Sequence, residues 1–290
     1  MNTSVASASH AGSTASQIRP LSDIMAAEVI GLDLTEPLTP DVRQAIHTAF
    51  LDHQLLVFRG QSLDKDQQVA FTEQFGTLER HALTNITPGA HPQVHMVTNL
   101  GPDGRPTGKV KSDKWHSDKS FREAPSMATV LHAVTLPPDG GDTCFANMYL
   151  AYEALPAPEK AALEGVKVVH SWPDSRENIG RVVSQAEIDD APPQAHPLAR
   201  PHPETGRKAL LLGIHAANLD GMDRAAGLAR IEALEAHATQ ERFVYRHSWQ
   251  AGDLLMWDNR CLLHRADPNF DAALHPRVMH RTCLRGTPTS

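Results

Sequence analysis

The stretch KWHSDKSF, Lys114 to Phe121, sets a histidine and an aspartate two residues apart. His116 and Asp118 can grip one metal ion together if the chain between them is extended, because alternate residues of a strand share a face. The spacing carries little weight alone. With 17 histidines and 34 acidic residues in 290 positions, chance supplies about two His-x-Asp/Glu pairs, and the chain has two. The second, His202/Glu204, lies in RPHPETGRK, where Pro and Gly bracket polar residues between apolar runs. That pattern predicts a hairpin turn with the pair in solvent.

A third metal ligand is available in LLMWDNRCLLHRAD, where His264 follows an apolar strand. Two imidazoles and one carboxylate form the facial triad of non-heme Fe(II) oxygenases, with positions left open for co-substrate and O2. A closed zinc site wants four ligands, usually with thiolates, and Cys144, Cys261 and Cys283 form no C-x-x-C pair. Oxygen activation needs electrons, which 2-oxoglutarate supplies, and its far carboxylate calls for an arginine. HPRVMHRTCLRG offers Arg277 and Arg281, four apart and so expected on one strand face, and Thr143 in GGDTCF can donate a hydroxyl hydrogen bond. The competing reading of these residues is a surface pair, a core histidine and exposed arginines. A jelly-roll protein that holds a metal without turnover is the alternative from another class. Trp115 and Phe121 read as pocket lining or core, Asp258 as structural, His215 as a satisfied histidine, and the glycine pair of DGGDT as a turn.

The elements that must position these residues follow from length and pattern. The first 17 residues, small and polar without an apolar core, predict a disordered tail, and 18–290 a single domain. No run approaches the length of a membrane helix, the net charge of −7 disfavours a nucleic-acid surface, and three unpatterned cysteines fit a reducing cytoplasm. The partner is expected to be a small molecule.

Residues 18–38 predict two short strands, TPDVRQAIHTAFLDH a capped helix, QLLVFRG a strand and SLDKDQQVAFTEQFG a second helix. Residues 76–114, rich in Pro, Gly, Asn and His, predict a long irregular segment. Strands are expected over 127–134, 144–148, 167–172, 209–214, 242–249, 254–258 and 277–286, with helices over 151–163 and 223–239. Many short strands with a few helices predict a mainly β fold, a double-stranded β-helix of the jelly-roll, cupin-like kind, with helices outside.

The segments AEVIGLDL, LLVFRGQ, QQVAFTEQFG, WHSDKSF, LPPDGGDTCFANMYLAYEALP, WDNRCLLHRAD and RVMHRT together resemble the taurine / 2,4-dichlorophenoxyacetate dioxygenase (TauD/TfdA) family, over about Leu21 to Gly286. The resemblance implies Fe(II) held by His116, Asp118 and His264, and 2-oxoglutarate held by Thr143 and Arg277. It places Arg281 and His81 on a small anionic substrate and implies association into a dimer or tetramer. HATQERFVYRHSWQAGDLLMWDNRCLLHRAD and LLLGIHAANLDGM are closer to the aryloxyalkanoate branch, GKVKSDKWHSD to the taurine branch. The implied reaction is hydroxylation of an aryloxyalkanoate-like carboxylate with release of succinate and CO2, with an alkylsulfonate as the alternative substrate.

Overall fold

The computed structural model describes residues 17–80, 91–178 and 180–289. Apart from Gln17, the expected tail lies outside these, as does His81. In chain order the strands are β1 (Gln17–Pro20), β2 (Ala27–Ile30), β3 (Leu55–Phe58), β4 (His95–Thr98), β5 (Ala128–Thr135), β6 (Thr143–Asn147), β7 (Lys167–His170), β8 (Gln194–Pro197), β9 (Ala199–Pro201), β10 (Lys208–Leu210), β11 (Ala216–Leu219), β12 (Val244–His247), β13 (Leu254–Asp258), β14 (Leu262–Ala266) and β15 (Val278–Leu284). The order β1-β2-β3-β13-β5-β15-β4 forms a seven-stranded sheet, and β12-β6-β14 forms a smaller one. Leu131, Leu255, Trp257 and Met279 of the large sheet share one core with Phe145 and Leu263 of the small sheet, as in a jelly roll.

Strands β3 and β13 read as unbroken apolar runs because both faces of the large sheet are covered. Leu55, Val57, Leu255 and Trp257 point into the inter-sheet core. Their neighbours Leu56, Phe58, Leu254 and Met256 enter a second core, together with Ile46 and Phe50 of the helix Pro40–His53 and Val69 and Phe71 of the helix Lys65–Glu73. Thr39 caps the first helix, and Asp64 and Gln67 close a capping box on the second.

Several expectations shift. The strand over 167–172 stops at His170 because Ser171 caps a helix, Trp172–Glu177, with Pro173 in its first turn. The helix over 151–163 is two, Met148–Glu153 and Ala157–Ala162, parted at Pro156. The strand expected over 209–214 is only Lys208–Leu210. The segment 76–114 contains β4, which pairs with β15 so that His95 opposes Arg281. The hairpin between β9 and β10 is present, but His202 is buried rather than solvated. Its Nε2 lies 3.1 Å from Asp258 Oδ2, and Arg260 bridges Asp258 to Glu204.

Candidate active site

His116, Asp118 and His264 offer one ligand atom each, all within 4.8 Å of one another. His264 sits mid-β14 and, by an antiparallel bridge, exchanges backbone hydrogen bonds with His116: His116 N donates to His264 O at 3.0 Å and His264 N to His116 O at 2.8 Å. The two rings lie 4.2 Å apart. His116 and Asp118 do not share a strand as expected, because the chain turns over 118–120 with Lys119 left-handed at φ 52°. Asn259, missed in the sequence, holds that turn. Its carbonyl accepts from Ser117 Oγ (2.7 Å), its Oδ1 accepts from the Asp118 backbone N (3.3 Å) and Trp257 Nε1 (3.1 Å), and its Nδ2 donates to Thr129 Oγ1 (2.9 Å). Thr129 in turn donates to Asp118 Oδ2 at 2.6 Å.

Gly213 presses on the same segment. Its φ is +102°, and a Cβ there would stand 2.8 Å from the Trp115 carbonyl oxygen and 3.0 Å from His116 Cα. Only glycine fits that approach.

Burial pushes the Asp118 carboxyl up, but the Arg281 guanidinium and the Thr129 hydroxyl outweigh it and hold the group ionised. Burial pushes both His116 and His264 down, so they present neutral imidazoles. His116 Nδ1 lies 2.8 Å from the Lys114 carbonyl, which makes Nδ1 the protonated nitrogen and leaves Nε2 with its lone pair. His264 Nδ1 is buried with no partner among the described residues. Two neutral imidazoles and an ionised carboxylate, without thiolate, fit a first-row divalent ion with open positions.

A second centre lies two residues along the small sheet. Thr143 opposes Ala266, as Phe145 opposes His264, so Thr143 faces the same interior about 7 Å along the strand. Arg277 is buried against it: Nε donates to the Gly141 carbonyl at 2.9 Å and Nη2 to Thr143 Oγ1 at 3.3 Å. Gly141, at φ +72°, permits this because a Cβ would meet Pro137 at 2.9 Å and Arg277 Cδ at 3.4 Å. Burial lowers the Arg277 pKa to about 10, partly offset by Asp142, so it stays cationic, with no carboxylate in hydrogen-bond contact among the described residues. Arg281 does not join it. The register shifts between Val278 and Met279, and Arg281 Nη1 instead reaches Asp118 Oδ1 at 2.9 Å while its Nε is buried with no partner among the described residues.

A cavity of about 290 Å³ opens on His116 and is lined also by Lys114, Arg176, Ile214 and His215. His215 is anchored by Ser175 (Nδ1 to Oγ, 3.0 Å) and stacks edge-on to Phe121 at 4.8 Å, so it is both satisfied and at the cavity wall. Arg176 went unnoticed in the sequence. It stands over Trp172 and touches Ser175, with no carboxylate partner among the described residues. Nothing in SWPDSREN marks it, since its neighbours Asp174 and Glu177 are what an exposed helix would show.

The family model for the taurine catabolism dioxygenase TauD, TfdA family matches residues 17–283, and the chain belongs to that family. It is 40% identical to an alpha-ketoglutarate-dependent 2,4-dichlorophenoxyacetate dioxygenase of Cupriavidus pinatubonensis, covering 91% of this chain and 96% of that protein. It is 36% identical to the (S)-phenoxypropionate/alpha-ketoglutarate-dioxygenase of Delftia acidovorans, covering 95% and 97%. The crystal structure of AAD-2 in complex with Mn(II) and N-oxalylglycine superposes with a TM-score of 0.86 at 36% identity, over 96% of this chain and 99% of that one.

Proposed function

We propose that the protein is an Fe(II)- and 2-oxoglutarate-dependent dioxygenase that hydroxylates a small anionic, aryloxyalkanoate-like carboxylate. The observation that carries this reading is the pairing of two centres on one strand ladder: a His-Asp-His cluster and, about 7 Å along the strand, a buried arginine–threonine corner whose guanidinium has no carboxylate partner among the described residues. A protein that only stores a metal has no use for the second centre.

His116, Asp118 and His264 would hold the iron, and Arg277 with Thr143 the far carboxylate of 2-oxoglutarate. When bound, these groups supply an oxidative hydroxylation in which 2-oxoglutarate and O2 become succinate and CO2 as one oxygen atom enters a substrate C–H bond. The chain's own work is positioning. Thr129 and Arg281 fix the Asp118 carboxylate from both oxygens, and Lys114 fixes the His116 tautomer. Arg176 offers charge to the anionic end of a substrate lying in the cavity beside His116; Arg281 and His81 belong to the same proposal as substrate contacts. Hydroxylation at a carbon bearing an aryl ether oxygen leaves a hemiacetal, whose C–O bond to the aryl oxygen breaks to give a phenol and a carbonyl compound. The three cysteines are all buried and free, which suits a reducing cytoplasm, and no described helix is long and apolar enough to cross a membrane. Association into a dimer or tetramer is part of the proposal.

The test is anaerobic addition of Fe(II) and 2-oxoglutarate to the apoprotein, read by the weak visible charge-transfer band of the chelate. The band is expected to shift with aryloxyalkanoates and not with alkylsulfonates. A shift with sulfonates alone moves the substrate assignment to the sulfonate class, and no band in folded protein refutes the oxygenase reading.

A further inference from the structure

We propose that Trp249 sets the direction of the Thr143 hydroxyl, turning it into an obligate donor that, beside the Arg277 cation, is aimed at an ionised carboxylate. The inference rests on the reading of Thr143 and Arg277 as the 2-oxoglutarate corner.

A threonine hydroxyl has one proton and two lone pairs, whereas an indole N–H and a guanidinium can only donate. Trp249 Nε1 lies 3.0 Å from Thr143 Oγ1 and Arg277 Nη2 lies 3.3 Å from the same oxygen. Both donors therefore occupy the lone pairs of one buried oxygen, and the remaining proton is left to donate. Among the described residues nothing accepts it, and a buried donor without an acceptor is costly. A carboxylate oxygen, acceptor-only, is the group that completes the set. An amide or alcohol oxygen could accept the same proton but would bring no negative charge to the Arg277 guanidinium.

Trp249 is itself held. It follows β12, whose His247 opposes Thr143 across the ladder, and the His247 ring meets the indole edge-on at 4.9 Å and 84°. Asp253 Oδ2 lies 3.0 Å from His247 Nε2 and accepts from Arg59 Nη1 (2.5 Å) and Gln250 N (2.9 Å). The indole is thus buttressed by a fully buried acid, and the Arg277 guanidinium lies 5.9 Å from its ring centroid. Trp249 is a positioning residue, acting through Thr143.

The experiment is calorimetric titration of 2-oxoglutarate into Mn(II)-loaded protein, with Trp249→Phe, Thr143→Ser, Thr143→Val, the double variants and Arg277→Ala. Trp249→Phe keeps an aromatic ring and removes the donor, and is expected to weaken 2-oxoglutarate about tenfold while kcat at saturating co-substrate stays within about twofold. The same change should weaken binding in Thr143→Ser, which keeps the hydroxyl, and have no further effect in Thr143→Val. Unchanged affinity in Trp249→Phe, or a Trp249→Phe effect that persists undiminished in Thr143→Val, overturns the inference while leaving the corner intact. If Thr143→Val and Arg277→Ala also bind 2-oxoglutarate normally, the co-substrate reading of the corner fails with it.

Discussion

Arg281 Nη1 lies 2.9 Å from Asp118 Oδ1, inside the site and largely screened from solvent, so the carboxylate proposed as a metal ligand is also the counter-charge of a partly buried arginine. Removing it does two separable things. Asp118→Asn is expected to lower Fe(II) affinity by well over the roughly 100-fold that losing an outer hydrogen-bond partner costs, and to destabilise the apoprotein by about 3 kcal/mol because Arg281 is left without its partner. Combining it with Arg281→Met should restore much of the stability and none of the metal binding. Urea denaturation alongside Co(II) titration checks both.

Arg277→Ala separates co-substrate from metal. The guanidinium is buried, cationic and, among the described residues, bound to neutral oxygens alone, so its loss should raise the 2-oxoglutarate requirement about 100-fold. Fe(II) affinity, read without 2-oxoglutarate, is expected to stay within about twofold, since Arg277 touches none of the three candidate ligands. Unchanged activity at low 2-oxoglutarate would count against the corner assignment.

Gly213→Ala reaches the metal cluster without touching a ligand side chain. The new Cβ would sit 2.8 Å from the Trp115 carbonyl oxygen, and φ +102° is strained for alanine. The segment carrying His116 must shift, so metal affinity is expected to fall about tenfold and the melting temperature by several degrees, roughly as for a 1–2 kcal/mol loss. A melting-temperature drop with unaltered metal affinity would show that the close packing serves stability alone.

Local patterns were legible in proportion to how much of their cause is local. The capped helices, the apolar runs of β3 and β13 and the DGGDT turn are written in adjacent residues, and so they appear where expected. The three candidate metal ligands gather as anticipated, but Asp118 arrives on a turn, because Asn259, 141 residues away, holds its backbone. His202 looked solvated because its turn is; the buried Asp258 that pulls it in lies 56 residues on. Trp249 and Arg176 were invisible for the same reason: what gives each its role is a neighbour from another strand or helix.

His170 should make stability depend on mild acid. Burial, with a smaller contribution from His196, lowers its pKa to about 3, so the folded protein keeps it neutral. The unfolded chain takes up a proton below about pH 6.5, so stability is whole above that pH and falls as the pH drops toward 3, by about 1.4 kcal/mol per unit. His170→Asn, which can keep a hydrogen bond to Ser120 Oγ, is expected to lose about 2 kcal/mol less than the wild type between pH 7 and pH 5. Equal losses in parallel urea titrations would show that His170 ionises in the folded state.

Arg176, proposed as the cation that meets the substrate's anionic end, is expected to decide how far that charge is read at the cavity. The guanidinium is half-buried, lowered by desolvation and by Arg181, and without a carboxylate partner among the described residues, while the cavity it lines opens on His116. A cation kept in that position is disfavoured until an anion arrives, so its contribution should appear in substrate binding rather than in the chemical step. Arg176→Ala is expected to raise KM for an aryloxyalkanoate about tenfold with kcat and the 2-oxoglutarate requirement little changed. Arg176→Lys, which keeps the charge and loses the planar fork, should fall between. An effect of equal size on a neutral aryl ether would mean that Arg176 shapes the cavity wall and does not read the charge.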